Sequence, residues 1–336
     1  MTVYFVAISL VAVILTVRDK STARRNTLRV PERTLLIVSA LGGSVAMILT
    51  MLVVRHKTRR VKFMVGIPLM IIVQAALVIF ALNTDLSVSR YDVETDKVNS
   101  AIRLALVSDL HSCDYDDGQA ELISVIDAER PDAVMLCGDI FDDRLSPQKA
   151  MEFVKTVSAK YPSFYVSGNH EFWSNRADDF KDSLASHGVS VLEGTTETLD
   201  VNGEQIRISG IDDPETDRYP SRSAQYATQL RRLSESIDNE VFTVLLSHRP
   251  ERIGELLTLK PDLVLSGHAH GGQWRLPVVL ENGLLSPNQG LFPKYTNGEY
   301  FFEGTELIVS RGLARESTKV IPRVFNRPEI VIITLR

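Results

Sequence analysis

The chain has 336 residues, with 42 Asp/Glu against 37 Lys/Arg and a formal net charge of −5. That length holds one large domain and something smaller. The charge is uneven: residues 1–82 carry 11 Lys/Arg against only Asp19 and Glu32, a net of +9, which leaves −14 for the rest. Nucleic-acid affinity comes mostly from basic side chains that neutralise phosphates, so the acidic remainder argues against a general DNA or RNA binder. Cys113 and Cys137 do not make a disulfide framework.

The amino-terminal part holds three apolar runs. Val3 to Val17 is interrupted only by Ser9 and Thr16 and, with Met1, reaches the minimum of about 17 residues for a span. A signal peptide is the rival reading, but it has neither a charged start nor a small-x-small cleavage site. Leu35 to Val54 and Phe63 to Leu82 are the second and third runs, each about 20 residues without a charge. The expectation is a membrane region over 1–82 with about three transmembrane helices, a polar linker over 83–100, and a catalytic domain over 101–336. Both loops between the runs are basic, and three straight spans cannot place both on one side. The third run has basic residues before it and acids after it, which favours a multi-pass protein whose domain lies outside the cytoplasm. The conflict is relieved if Met1 to Val17 does not span fully, or if Leu35 to Val54 bends back at Gly42-Gly43.

From Ala101, short β-rich runs alternate with helical stretches, and five of them end alike. Ile102–Val107 leads into Ser108-Asp109-Leu110-His111. Ala133–Cys137 leads into Gly138-Asp139, with Asp142 and Asp143 beyond. Phe164–Val166 leads into Gly168-Asn169-His170-Glu171, Val241–Leu246 into Ser247-His248, and Leu263–Leu265 into Gly267-His268-Ala269-His270. In open α/β sheets, ligands bind outside the carboxyl ends of strands. Of the seven histidines, only His56 and His187 lie elsewhere. A lone strand-end histidine is more often structural than ligating. Five, together with Asp109, Asp139 and Asn169, point to a shared metal site.

That donor set is imidazole, carboxylate and amide oxygen. It suits Mn, Fe or Zn better than a Cys-rich structural zinc site. It also suits two ions about 3.5–4 Å apart, with Asp139 as the natural bridge. Paired cations lower the pKa of a bridging water and neutralise phosphoryl oxygens. There is no H-E-x-x-H, P-loop or G-x-S-x-G. Asp212-Asp213-Pro214 reads as a turn, with a place at the border of the site as the alternative. Cys113 reads as a bystander and Cys137 as a small buried hydrophobe.

As a set and in this order, the five motifs resemble the calcineurin-like metallophosphoesterase superfamily, in particular its bacterial membrane-anchored branch. The resemblance covers about Ser100 to Arg336. It implies an α/β, four-layer sandwich of two mixed β-sheets flanked by helices, preceded here by the transmembrane helices. It also implies one metal on Asp109, His111, Asp139 and His270, and a second on Asp139, Asn169, His248 and His268. His170 would contact the phosphate as general acid or transition-state stabiliser. Glu171 and Ala269 stand where Asp and Thr are commoner, and neither change removes a ligand. The tail from Ser310-Arg311-Gly312 to Arg327-Pro328-Glu329 also resembles the branch. The expected activity is hydrolysis of a phosphate ester or pyrophosphate by a metal-activated hydroxide. The expected partners are a phosphorylated, lipid-linked or phospholipid substrate and the membrane, with no nucleic acid. The alternatives are a soluble nucleotide or phosphoprotein phosphatase, and a non-catalytic metal-binding sensor module.

Overall fold

The computed structural model describes residues 2–238, 240–315 and 321–336; residues 316–320, inside the tail noted above, lie outside that description. The chain divides into two compact units, Met1–Ala81 and Leu82–Arg336.

The amino-terminal unit is helical: α1 (Thr2–Arg24), α2 (Glu32–Val38), α3 (Ser44–Val53), α4 (Val61–Met64) and α5 (Gly66–Ala81). Among the described residues two segments are long and apolar enough to cross a membrane, Glu32–Val53 and Val61–Ala81. The unit buries a small apolar centre that includes Leu35, Met47, Met51 and Phe63. Its outward faces are apolar too, with Ile14, Leu49, Leu69, Ile72 and Ile79 exposed. A helix that is apolar all round belongs in a large core or a membrane.

The middle apolar run is not a straight rod. Between α2 and α3 the helix passes through a wide turn, and Gly42 adopts φ 109°, ψ 0°, a conformation that glycine enters without a Cβ penalty. A straight helix from Glu32 to Val53 would hold its ends roughly 32 Å apart. Instead the two ends meet. The buried Asp19 carboxylate accepts from Val30 N at 3.2 Å and faces His56 Nε2 at 2.7 Å and Lys57 Nζ at 3.0 Å. Lys57 also reaches Glu32 at 3.7 Å. At the far end, the Tyr4 hydroxyl donates to Leu41 O at 2.7 Å. The segment is therefore a helical hairpin whose tip lies beside the start of α1 and whose two ends lie beside Asp19.

The second unit contains β1 (Ser87–Val93), β2 (Ile102–Val107), β3 (Ala133–Cys137), β4 (Ser163–Val166), β5 (Ser190–Val191), β6 (Thr195–Val201), β7 (Glu204–Ile211), β8 (Thr243–Ser247), β9 (Leu263–Ser266), β10 (Leu285–Ser286), β11 (Gly290–Leu291), β12 (Gly298–Phe302), β13 (Thr305–Val309) and β14 (Glu329–Leu335). They form two mixed six-stranded sheets, ordered β1-β14-β2-β3-β4-β5 and β12-β13-β9-β8-β7-β6, and a small β10-β11 hairpin. Strands β2 to β4 pair in parallel, as do β7 to β9.

The strands alternate between two cores. Leu104, Leu106, Met135 and Phe164 meet Ile208, Val244, Leu246 and Leu265 between the sheets. Ala105, Val107, Leu136 and Tyr165 face outward, packed with α6 (Ala120–Glu129), α7 (Gln148–Ser158) and α9 (Ala177–Ser186). Leu245, Val264 and Leu307 pack with α10 (Tyr226–Ser236) on the other side. Burial on both faces explains the unbroken apolar runs, and the four layers are those expected.

The polar linker expected over 83–100 is corrected in its middle. Ser87–Val93 forms edge strand β1, in register with Glu329–Leu335. Its sequence reads polar because an edge strand is half solvated. Its pairing is non-local, and Arg327 pins the approach by donating to Asp85 O and Leu86 O.

Candidate metal centre

Every expected ligand position lies at or just beyond the carboxyl end of β2, β3, β4, β8 or β9, the strands predicted from sequence to within two residues. The loops there are tightly wound. Asp109, His111, Asp139, His268 and His270 all have left-handed backbones, with φ between 47° and 64°. Such conformations cost non-glycine residues on the order of 1–3 kcal/mol and collect at functional sites. Hydrogen bonds hold them: Asp109 N and His111 N donate to Gly138 O and Asp139 O at 3.0 and 2.9 Å. The Glu171 carboxylate, the first acid of α8 (Asn169–Trp173), accepts from Gly168 N, Asp139 N and Phe141 N at 2.9–3.1 Å. It ties the β3 loop to the β4 loop. Burial and the Asp139 charge push its carboxyl up to about 7, against the pull of those N–H donors. At Gly138 a Cβ would lie 2.4 Å from His248 Nδ1, so only glycine lets β3 and the His248 ring approach.

Among the described residues three buried groups result: Asp109–His111–His270, Asp139–His248–His268, and His111–Asp142–His170, of which the first two contain expected ligands only. The Asp139 carboxylate joins the first two: its Oδ2 lies 3.1 Å from His248 Nε2 and 3.7 Å from His111 Nε2. His270 Nε2 is 3.6 Å from Asp109 Oδ1. Asn169 is buried, and among the described residues its Oδ1 has no hydrogen-bond partner; the same holds for His111 Nε2 and His248 Nε2.

The outer nitrogens decide which ring atoms face inward. His248 Nδ1 donates to Cys137 O at 2.9 Å, and His111 Nδ1 to Asp142 Oδ2 at 3.2 Å. Each leaves Nε2 bare toward a carboxylate. His268 Nε2 pairs with Asn288 Oδ1 at 2.8 Å, which leaves Nδ1 for the centre. A bare nitrogen facing a carboxylate oxygen is repulsive unless a positive charge lies between them. Burial alone would lower His248, yet the Asp139 charge pushes it up to about 10. Burial would likewise raise Asp139, but His248 and His170 hold it well below the ordinary carboxylate range. Buried, unpartnered N and O donors around shared carboxylates fit divalent cations.

His170 belongs to the third group, its ring 4.4 Å from that of His111 and its Nδ1 3.5 Å from Asp142 Oδ2. Its backbone N donates to Asp139 Oδ1 at 2.8 Å, its Nδ1 contacts Asp143 Oδ1 at 2.6 Å, and its ring lies 4.8 Å from that of Trp173. Burial lowers its pKa, and the charge of Asp139 partly opposes this.

Several contributors carry no signal in the sequence. Asp142 and Asp143, noted there without a role, orient His111 and His170. Arg323 comes from the tail: its Nη2 lies 3.4 Å from His270 Nδ1 and 3.3 Å from Gly312 O, and its buried Nη1 has no partner. Asp213 does cap a turn, accepting from Glu215 N at 2.9 Å, and it also holds Arg249 through two bonds of 2.6 and 2.8 Å. Asp212 is buried behind Ser167, paired with Lys181 at 2.8 Å. Both are scaffold for the β4 and β8 loops. Cys113 and Cys137 are buried thiols outside both ligand groups.

The family model described as calcineurin-like phosphoesterase matches residues 102–272, and one described as a protein of unknown function matches residues 9–63. An uncharacterized metallophosphoesterase of Bacillus subtilis is 28% identical over 240 residues, 70% of this chain and 79% of that protein. One from Campylobacter jejuni is 28% identical over 319 residues, 91% of this chain and 79% of its own length. A Danio rerio transmembrane protein with metallophosphoesterase domain is 28% identical over 199 residues, 56% of this chain and 44% of that one. With the family model spanning half of its length, this chain belongs to the calcineurin-like phosphoesterase family and is a metal-dependent hydrolase of phosphoric esters.

Proposed function

We propose that this is a membrane-anchored phosphoesterase with a two-metal centre that acts on a lipid-linked or phospholipid phosphate. The observation that carries the two-metal reading is Asp139 Oδ2, set between His248 Nε2 and His111 Nε2 with both nitrogens otherwise unpartnered. Asp109, His111, Asp139 and His270 hold one ion; Asp139, Asn169, His248 and His268 hold the other. When bound, the pair supplies an activated water and neutralises phosphoryl oxygens. Asp142 and the Cys137 carbonyl keep the His111 and His248 rings in their ligating tautomers. Asp143 holds the His170 Nδ1 proton, so Nε2 is free to carry a proton to the leaving oxygen. Glu171 keeps Asp139 in place through the β3 backbone.

The membrane reading rests on the apolar helices and their exposed apolar faces. The hairpin between Glu32 and Val53 brings both basic loops to one end of the unit. That arrangement meets the preference of Lys and Arg for the cytoplasmic side, which three straight spans would violate. In this topology α1 crosses through the run Val3 to Val17, just long enough for a span; the Glu32–Val53 segment, long enough to cross if it were straight, enters and returns; and Val61–Ala81 crosses back, so the catalytic unit is extracytoplasmic.

The test is a substrate screen. Full-length protein, stripped of metal and reloaded with Mn, Fe or Zn, is offered lipid phosphates, nucleotides and phosphopeptides. Metal-dependent turnover of the lipid class is expected; turnover of nucleotides or phosphopeptides alone overturns the substrate assignment. Protease added to spheroplasts should digest the catalytic unit, and protection until lysis would reverse the orientation.

A further inference from the structure

The catalytic unit covers its apolar side chains well except in one place. Its exposed large hydrophobics, among the described residues, are Leu82 at its first residue, Trp173, Phe301 and five in one short stretch: Leu276, Val278, Val279, Leu291 and Phe292. Val278 and Val279 are 88% and 81% exposed, and Phe292 is 70% exposed. Large apolar residues clustered at a surface mark an interaction site. Val278 and Phe292 also have left-handed backbones, φ 70° and 55°. A β-branched residue is an outlier there, and the strain is tolerated at two apolar tips.

The stretch is built onto the metal centre. It follows His268 and His270 directly, and Leu284 N donates back to Gly272 O at 2.9 Å. The β10-β11 hairpin pairs Leu285 with Leu291. Its turn carries Asn288 to His268 Nε2 at 2.8 Å, while Phe292 N donates to Leu284 O at 2.8 Å at the open end. One small hairpin thus touches a site histidine at its turn and presents Leu291 and Phe292 to solvent at its end. In sequence, Trp274 stands two residues before Leu276 and Lys294 and Tyr295 shortly after Phe292, with Lys294 Nζ over the Tyr295 ring at 4.8 Å. Aromatic and cationic residues around apolar tips are the usual furniture of a membrane–water interface.

We propose that Leu276, Val278, Val279, Leu291 and Phe292 form a lip that enters the acyl region of a bilayer and delivers an amphiphilic phosphoester to the neighbouring metal centre. A lipid fits this surface better than a protein partner: the lip consists of two narrow tips rather than a broad face, and the same chain carries helices suited to a membrane. The inference rests on the lipid-phosphate reading for the substrate but not for the contact itself.

Two measurements separate these. Full-length protein in vesicles of phosphatidylcholine and phosphatidylglycerol carries an environment-sensitive fluorophore on V278C or F292C, with R232C on the exposed face of α10 as control. Labels at 278 and 292 should shift to the blue and be quenched by acyl-brominated lipids, while the label at 232 should not. Labels that behave like the one at 232 overturn the lip, as would quenching that appears only when a protein partner is added. In the same vesicles, the V278S/V279S/F292S triple variant should hydrolyse bis(p-nitrophenyl) phosphate as the parent does. It should lose about tenfold on hexadecyl p-nitrophenyl phosphate, roughly the burial of a few methylenes. An equal loss on both esters overturns the delivery role. Quenched labels without any turnover of the hexadecyl ester would leave the lip standing and remove the lipid-phosphate substrate.

Discussion

Asp139 Oδ2 lies 3.1 Å from His248 Nε2, while the other nitrogen of that ring is committed to the Cys137 carbonyl at 2.9 Å. The acceptor on strand β3 fixes the tautomer, and the acid just after β3 receives the bare nitrogen. Neither residue turns away, so a positive charge belongs between them, a proton on Nε2 in the metal-free protein and a divalent cation in its place when the centre is loaded.

Asp139→Asn should therefore lose metal and activity together. Asn offers one neutral oxygen acceptor and an NH₂ that cannot ligate. Metal analysis of the purified variant checks this, and two ions at full occupancy would contradict the bridging role.

His170→Ala should keep its metal and lose about 10²–10⁴ in rate, the usual range for acid–base catalysis. Asp143→Asn should fall in the same direction by less, because Asp143 only orients the ring. Both losses should shrink for esters with good leaving groups, which need less protonation. A loss that does not depend on the leaving group would leave His170 an electrostatic role alone.

Glu171→Gln should weaken the β3–β4 connection. Its NH₂ would face backbone donors now served by carboxylate oxygens, and an unsatisfied buried donor costs about 1–3 kcal/mol. Thermal unfolding and metal affinity should both decline. An unchanged Kd for metal would show that Asp139 is held by other contacts.

Lys181→Met tests the scaffold behind the site. Lys181 is buried, 2.8 Å from Asp212 and 2.7 Å from Glu193, and those charges raise its pKa against the lowering effect of burial. Removing one partner of a buried pair costs about 3–5 kcal/mol. At roughly 2–4 °C per kcal/mol for a domain of this size, Tm should drop by about 10 °C. An unshifted Tm would mean that Asp212 is satisfied without the lysine.

The site was legible because its donors cluster at strand ends, where a short apolar run and two or three residues write the whole motif. The runs themselves showed only strands alternating with helices; the sandwich was implied by the family that the motifs resemble. What escaped depends on contacts across space. Arg323 meets His270 from a distant tail, and Glu171 acts through three backbone N–H groups that no motif displays. Strand β1 looked like linker because its partner, β14, lies at the other end of the chain. The reversal at Gly42 left the apolar pattern unbroken and was legible only as one of two ways to reconcile the basic loops; the meeting of Val30 and His56 at Asp19 decides for it. Asp142 and Asp143 were visible as residues, but which histidine each would hold was not.

The most direct measurement is metal stoichiometry against turnover. Full-length protein stripped of metal is titrated with Mn, Fe or Zn while hydrolysis of an aryl phosphate diester is followed. A two-ion centre predicts saturation at two equivalents per chain, with activity rising as the second ion binds. Saturation at one equivalent, or full turnover in the stripped protein, would contradict it.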